Sequence, residues 1–389
     1  MSIAPQIAIN ATYMRGGTSK GVFFLEDDLP REPQLRDALL LRVLGSPDRY
    51  SQQIDGMGGG SSSTSKVVIL RKSTRPGCDV DYLFGQVAVD KPLIDWSGNC
   101  GNLSAAVGPF AIFSGLVPPG SGSHATIRIW QRNIEQVIVS RVPLVSGQVQ
   151  ETGDFHLDGV TFAAAEIELD FIGGAGTGSL FPTGRVLDNL DVPGVGLIEA
   201  TLLTAGNPAV FIDASVLGLH ATELQKDVNS NTQLLAKLEQ IRAQAAVAMG
   251  MVETTEQASA HMPSTPKIAF FAAPQSYTAS DGAHVLASSV DICARILSMG
   301  KLHHAMTGTG AIGIAVAAAI ADTVVSRILG GPVQSLTFGH PSGSLRVGAS
   351  TRKTADGWQL DCVSMSRSAR RLMTGQVWVP GDVAPAQVR

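Results

Sequence analysis

Polar and apolar positions along this chain follow the periods of strands and helices in turn. Gln6 to Thr12 alternates loosely, and Val22-Phe23-Phe24 follows a glycine turn, which predicts two strands. Pro33 to Leu44 places Leu35, Leu39 and the Leu40-Leu41 pair at helical spacing, which predicts a surface helix. Val67 to Leu70 and Asp79 to Val89 predict strands, as do Thr126 to Trp130, Gln136 to Val142 and Val160 to Leu169. Val285 to Met299 is expected to form a helix. Two stretches are apolar on nearly every face, Ser104 to Leu116 and Ala311 to Ala321. A helix of that kind is buried.

The first of them follows Asp95-Trp96-Ser97-Gly98-Asn99-Cys100-Gly101-Asn102. A buried helix N-terminus leaves about four backbone N–H groups without helical partners and is positive, so it suits an anion such as a carboxylate. Cys100 is placed there, where a thiol becomes more acidic. An inert core thiol is the alternative, and the Gly-Asn-Cys-Gly-Asn setting argues for function.

Earlier glycine-rich turns carry further candidates. Gly16-Gly17-Thr18-Ser19-Lys20 offers backbone N–H groups, hydroxyls and a cation that can cradle an anion. An ordinary glycine hairpin fits equally well. Asp55-Gly56-Met57-Gly58-Gly59-Gly60-Ser61-Ser62-Ser63-Thr64-Ser65-Lys66 resembles a phosphate loop, but Lys66 enters a strand instead of a helix. Ser63 to Lys66 also matches Ser-x-x-Lys, without the Ser-Asp-Asn and Lys-Thr-Gly partners of penicillin-binding enzymes. What remains is a glycine and hydroxyl loop ending in a lysine at the mouth of a strand. A flexible linker has no reason to pass straight into a strand, so function is expected.

The second half echoes the first. Ala11-Thr12 and Gly17 recur at one offset as Ala200-Thr201 and Gly206, and Val22-Phe23 recurs as Val210-Phe211 after a one-residue slip. Met306-Thr307-Gly308-Thr309-Gly310 opens the second apolar helix, with Thr307 in the place of Cys100. Ile127-Arg128-Ile129 is expected to correspond to Leu345-Arg346-Val347. Such similarity implies duplication, hence two like domains, 1–190 and 191–389, with both helix N-termini aimed at one cleft. Gly173 to Pro182 is glycine-rich and closes the first half; the C-terminal strand is a candidate to pack on it. Gly308 to Gly313 is formally a GxGxxG. It is rejected as a dinucleotide site, because a helix is expected before it and no acidic residue ends a following strand. His340, in Gly339-His340-Pro341-Ser342-Gly343, is either a cleft residue or a turn histidine.

Bulk properties narrow the class. A length of 389 residues favours two domains. Only 5% aromatic residues and a net charge of −4, with no basic block, disfavour nucleic acid and anionic membranes as partners. The 4 cysteines are widely spaced and the 8 histidines show no ligand pattern, so no metal site is expected. No basic-then-apolar leader opens the chain, and a cytoplasmic location is expected.

Taken together, residues 14–21, 55–59, 62–66, 95–103, 181–184 and 366–375 resemble the PrpF family over nearly the whole chain. Its members include 2-methylaconitate cis-trans isomerase of the 2-methylcitrate cycle and 4-oxalomesaconate tautomerase. The resemblance implies an α+β, diaminopimelate epimerase-like fold: two pseudo-symmetric domains, each a β-barrel-like sheet wrapped round a central helix. It implies an isomerase that moves a proton on an unsaturated tricarboxylate without metal or organic cofactor, and it places the base at Lys66. Cys100 is then the acid, or a group that positions substrate. Thr307 stands where the wider superfamily carries a second cysteine, so a two-cysteine racemase is not implied. Expected substrate contacts are Ser19, Lys20, Gly58, Gly59, Gly60, Ser61, Asn99, Gly101, Asn102, Lys267, Met306, Thr307, Gly308, Thr309 and His340. The expected partner is a small tricarboxylate, with a homo-oligomer among the expected states. Three substrates stay open: 2-methylaconitate, aconitate and oxalomesaconate. Two other classes stay open as well: a Ser–Lys hydrolase built on Ser63 and Lys66, and a non-catalytic anion-binding protein.

Overall fold

In the computed structural model, residues 5–173, 179–355 and 357–382 are described; residues 174–178 of the glycine-rich stretch therefore lie outside them. The fold is α+β. The chain packs as two compact units, one holding residues up to 155, 163–169 and those from 367 onward, the other holding 156–162 and 170–366. Residues 170–190 thus pack with the second unit, whereas the expected border was 190.

In the first unit, β1 (Gln6–Gly16) and β2 (Ser19–Leu25) form an antiparallel hairpin. Helix α1 (Pro33–Leu44) makes the crossover to β3 (Lys66–Lys72), which lies parallel to β2. Proline at its start and Gly45 in the left-handed region at its end punctuate α1 as its sequence dictates. Strand β4 (Val80–Val87) runs antiparallel to β3. After α2 (Ser104–Phe113) come β5 (His124–Gln131), parallel to β4, and β6 (Gln136–Val145), antiparallel to β5.

The second unit repeats that order. It has the hairpin β7 (Gly196–Ala205) and β8 (Asn207–Asp213), then α3 (Thr232–Ala248) and β9 (Lys267–Ala272), parallel to β8. Strand β10 (Ile292–Ser298) is antiparallel to β9. After α4 (Gly308–Ala319) come β11 (Ser335–His340), parallel to β10, and β12 (Gly343–Thr354), antiparallel to β11. The last strand, β13 (Gly357–Pro380), pairs over 357–364 with β12 and over 369–380 with β1.

Each unit wraps its strands round one helix. Helix α2 packs on β1, β5 and β6, and α4 on β7, β8, β11 and β12. Small residues permit the close approach. A Cβ on Gly108 would meet Val142 at 2.7 Å, and one on Gly310 would meet Ile296 at 2.4 Å.

The observed fold corrects the sequence reading in several places. Val285 to Met299 holds β10, not a helix. All seven residues of β10 are buried, so both faces are covered and no alternation survives to betray a strand. Leu345 to Val347 lies on β12, the counterpart of β6 in the second unit, whereas Ile127 to Ile129 lies on β5; that echo is one strand out of step. The strand expected over 160–169 spans Glu166–Ile172. The GxGxxG loses one ground for rejection, since a strand does precede it. The other ground stands, because β11 ends in Gly339-His340 with no acid.

Candidate active site

Lys66 opens β3 and is 6% exposed. Its amine donates to Gln86 Oε1 at 2.5 Å, faces the Cys100 side chain, and sits 5.1 Å from the centre of the Phe84 ring. Burial pushes its pKa down, and the nearby Cys100 pulls it part of the way back. A lysine so placed holds its proton less tightly, so more of it is the neutral amine that can accept one.

Cys100 owes its position to a stapled loop. Asn133 Nδ2 donates to Phe84 O at 2.9 Å and to Trp96 O at 2.8 Å, which pins the loop to β4. Cys100 O then accepts from Ser104 N at 2.9 Å, and Cys100 Sγ accepts from Leu103 N at 3.4 Å. This is N-capping geometry with sulfur in the place of the usual oxygen. In the second unit Thr307 O accepts from Ala311 N at 2.9 Å, and its Oγ1 accepts from Gly310 N at 3.0 Å. Cys100 and Thr307 thus make the same pair of hydrogen bonds, although Thr307 directly precedes α4 and Cys100 lies a turn ahead of α2.

The hairpin turn and the glycine loop are held beside this pair. Gly17 has φ +51°, and a Cβ there would lie 2.5 Å from Asn102 Oδ1. Its amide donates to Ser368 O, and Lys20 N donates to Ser63 O at 3.0 Å. Ser19 is buried, while Lys20 places its amine over the Tyr13 ring at 5.4 Å. Gln53 organises the loop. Its Nε2 donates to Ser46 and Ser65 hydroxyls, and its Oε1 accepts from Gly60 N at 2.9 Å. The Gly58 amide donates to Leu44 O at 3.2 Å. Gly58 and Gly60 were expected to offer their amides to substrate; both turn inward, because the loop must satisfy its own backbone. Gly59 and Ser61 are on the exposed side of that loop.

Asn99, Gly101 and Asn102 are buried beside Cys100. Asn102 Nδ2 donates to Thr18 Oγ1 at 3.0 Å, and its Oδ1 accepts from Arg367 Nε at 3.3 Å. Arg367 is 1% exposed, and burial pushes its pKa down to about 10. Gln53, Gln86 and Arg367 are absent from the sequence-predicted set. The only available signal was Arg367's place in the 366–375 motif.

In the second unit, Lys267 opens β9 as Lys66 opens β3, and its amine reaches Ser298 Oγ at 3.4 Å. Met306, Thr307, Gly308 and Thr309 are buried at the start of α4. His340 ends β11 at 2% exposure; its Nδ1 accepts from Ser342 N at 3.2 Å, which puts the proton of the neutral ring on Nε2. Ser342 Oγ donates to His304 O at 2.5 Å, and His303 and His304 stack at 4.7 Å. Burial pushes His304 down. Ser342 thus links His340 to the adjacent pair His303 and His304, which lie far from it in sequence.

The family model described as "PrpF protein" matches residues 6–380. The chain belongs to the PrpF family. It is 54% identical to the 2-methyl-aconitate isomerase of Cupriavidus necator, over 98% of this chain and 100% of that one. It is 55% identical to the 2-methyl-aconitate isomerase of Shewanella oneidensis, over 97% of this chain and 98% of that one. Among solved structures, the crystal structure of a methylitaconate-delta-isomerase matches with a TM-score of 0.74 and 36% identity, over 97% of each chain. Like these relatives, the chain is an isomerase.

Proposed function

We propose that this chain isomerises 2-methylaconitate between its trans and cis forms, with Lys66 as the base. The substrate follows from the similarity to the two 2-methyl-aconitate isomerases. The mechanism follows from one observation: a buried lysine whose amine is aimed by Gln86 and faces Cys100.

The CH2 group of 2-methylaconitate lies between a carboxylate and the double bond, so its proton is acidic. Neutral Lys66 removes that proton. The electron pair delocalises through the alkene onto a carboxylate, and the former double bond gains single-bond character. Rotation about it, then return of the proton to the same carbon, gives the other isomer. Nothing is oxidised or reduced, and no cofactor is called for. Donors must hold the growing charge; we assign this to the amides of Gly101 and Asn102, in the turn before α2, with Ser19 and Lys20. Cys100 shapes the site and biases Lys66. Lys267, with Thr307, Gly308 and Thr309, is assigned to binding carboxylate, and Met306 and His340 to contacting the substrate. A reducing, cytoplasmic setting suits the four cysteines.

Lys66→Arg carries a charge it cannot lose and so cannot act as a base at working pH. It should cut kcat by at least about 10²-fold while still binding a tricarboxylate. Exchange of the substrate C–H with solvent deuterium should vanish. Lys267→Met should instead raise KM with exchange retained. Exchange at wild-type rate in Lys66→Arg removes the lysine from the mechanism, and faster turnover of aconitate or oxalomesaconate than of 2-methylaconitate overturns the substrate assignment.

A further inference from the structure

The strand opposite Lys66 carries a buried amide. Gln86 lies directly across the β3–β4 ladder from Lys66 and is 2% exposed. Its side chain has two N–H donors and one acceptor oxygen. Both donors are engaged, since Nε2 reaches Ser62 O at 3.2 Å and Ser65 O at 3.0 Å. That fixes which end of the amide is which. A flipped amide would set its oxygen against two carbonyls and its NH2 against an amine. Gln86 Oε1 therefore points at Lys66 Nζ, 2.5 Å away.

We propose that Gln86 is the positioning residue of the base, aiming the Lys66 amine through an acceptor that carries no charge. This rests on the reading of Lys66 as the base. A carboxylate in its place would aim the amine equally well but would hold it as an ammonium. Among the described residues, the titratable group facing Lys66 is Cys100, from the loop before α2. Behind it stands Tyr82 of β4, whose hydroxyl lies 3.5 Å from Cys100 O. Strand β2 presents Gly21, and β4 adds the Phe84 ring. With no acid built in, the lysine stays poised to lose its proton.

The test compares Gln86→Glu, nearly isosteric, with Gln86→Leu, which removes the acceptor. Each is assayed for kcat/KM against pH, for melting temperature, and for binding of tricarballylate. A neutral base makes kcat/KM rise with pH through the lysine's pKa. A carboxylate raises that pKa, so in Gln86→Glu the rise should move to higher pH by at least about one unit. Activity at pH 7 should then fall about tenfold or more and recover in alkali. Gln86→Leu should lose about tenfold in kcat, bind tricarballylate near normally, and show no alkaline recovery. A purely structural glutamine predicts no movement of the profile. A folded Gln86→Glu with the wild-type profile overturns the proposal. If the Glu variant does not fold, a Gln86→Leu enzyme with wild-type kcat overturns it. Continued deuterium exchange in Lys66→Arg would instead remove the base itself. A dead Lys66→Arg beside unaltered Gln86 variants removes only Gln86.

Discussion

Lys66 and Lys267 begin the strand that follows the crossover in their own units, and both are buried. Lys66 was legible because a hydroxyl-rich loop ran into a strand at that residue. Gln86 was not, because a polar residue in an alternating strand looks like an outward-facing one; only pairing with β3 turns it to the lysine. Cys100 was legible through its glycine setting, but the cap-like hydrogen bond of its sulfur to Leu103 N needed the folded turn. That bond yields a prediction. Serine is itself a good cap, so Cys100→Ser should fold and keep kcat within about tenfold. It also removes the group that pulls the Lys66 pKa upward. The lysine should then lose its proton more easily, and the rise of kcat/KM should move to lower pH or stay in place. A near-dead variant that still binds tricarballylate would make Cys100 an essential acid.

At the scale of elements, buried helices are easier to find than buried strands. Helices α2 and α4 were visible as long apolar runs, and α1 through its punctuation. Strand β10 was not, since burial of both faces erases the period of two. The turns ahead of the two central helices were half visible: position matched Cys100 with Thr307, while the hydrogen bonds they share, each to an amide three or four residues on, needed the backbone conformation. Thr307 supplies the clearest test of a cap. Thr307→Ala removes the acceptor for Gly310 N in a buried setting and should cost about 1–2 kcal/mol in denaturant unfolding. Thr307→Ser should restore most of it. Equal stability of the three proteins would mean that the cap contributes nothing.

At the scale of the molecule, duplication shows in the identical order of pairing: antiparallel, parallel, antiparallel, parallel, antiparallel in each unit. The first unit is nevertheless not contiguous in sequence. Residues 369–380 of β13 pair with β1, and Arg367 bonds Asn102 beside Cys100. A chain ending at Ser366 would strip β1 of that partner and unseat Asn102. It should therefore lose isomerase activity and melt at a lower temperature. An active truncated protein with the full-length melting temperature would show that the returning strand is dispensable.

Local patterns on this chain determined its family, its two central helices, the lysine at the mouth of β3 and the doubling of the fold. The helices and the lysine depend on residues near in sequence, where spacing and turn chemistry act directly, and the family and the doubling on short motifs read one by one along the chain. Tertiary structure alone decided that β10 is a strand, that the Gly58 and Gly60 amides turn inward, and that Gln53, Gln86 and Arg367 set the geometry round Lys66 and Cys100. Those outcomes turn on hydrogen bonds between distant segments, and a buried polar group takes whichever partner the fold brings to it.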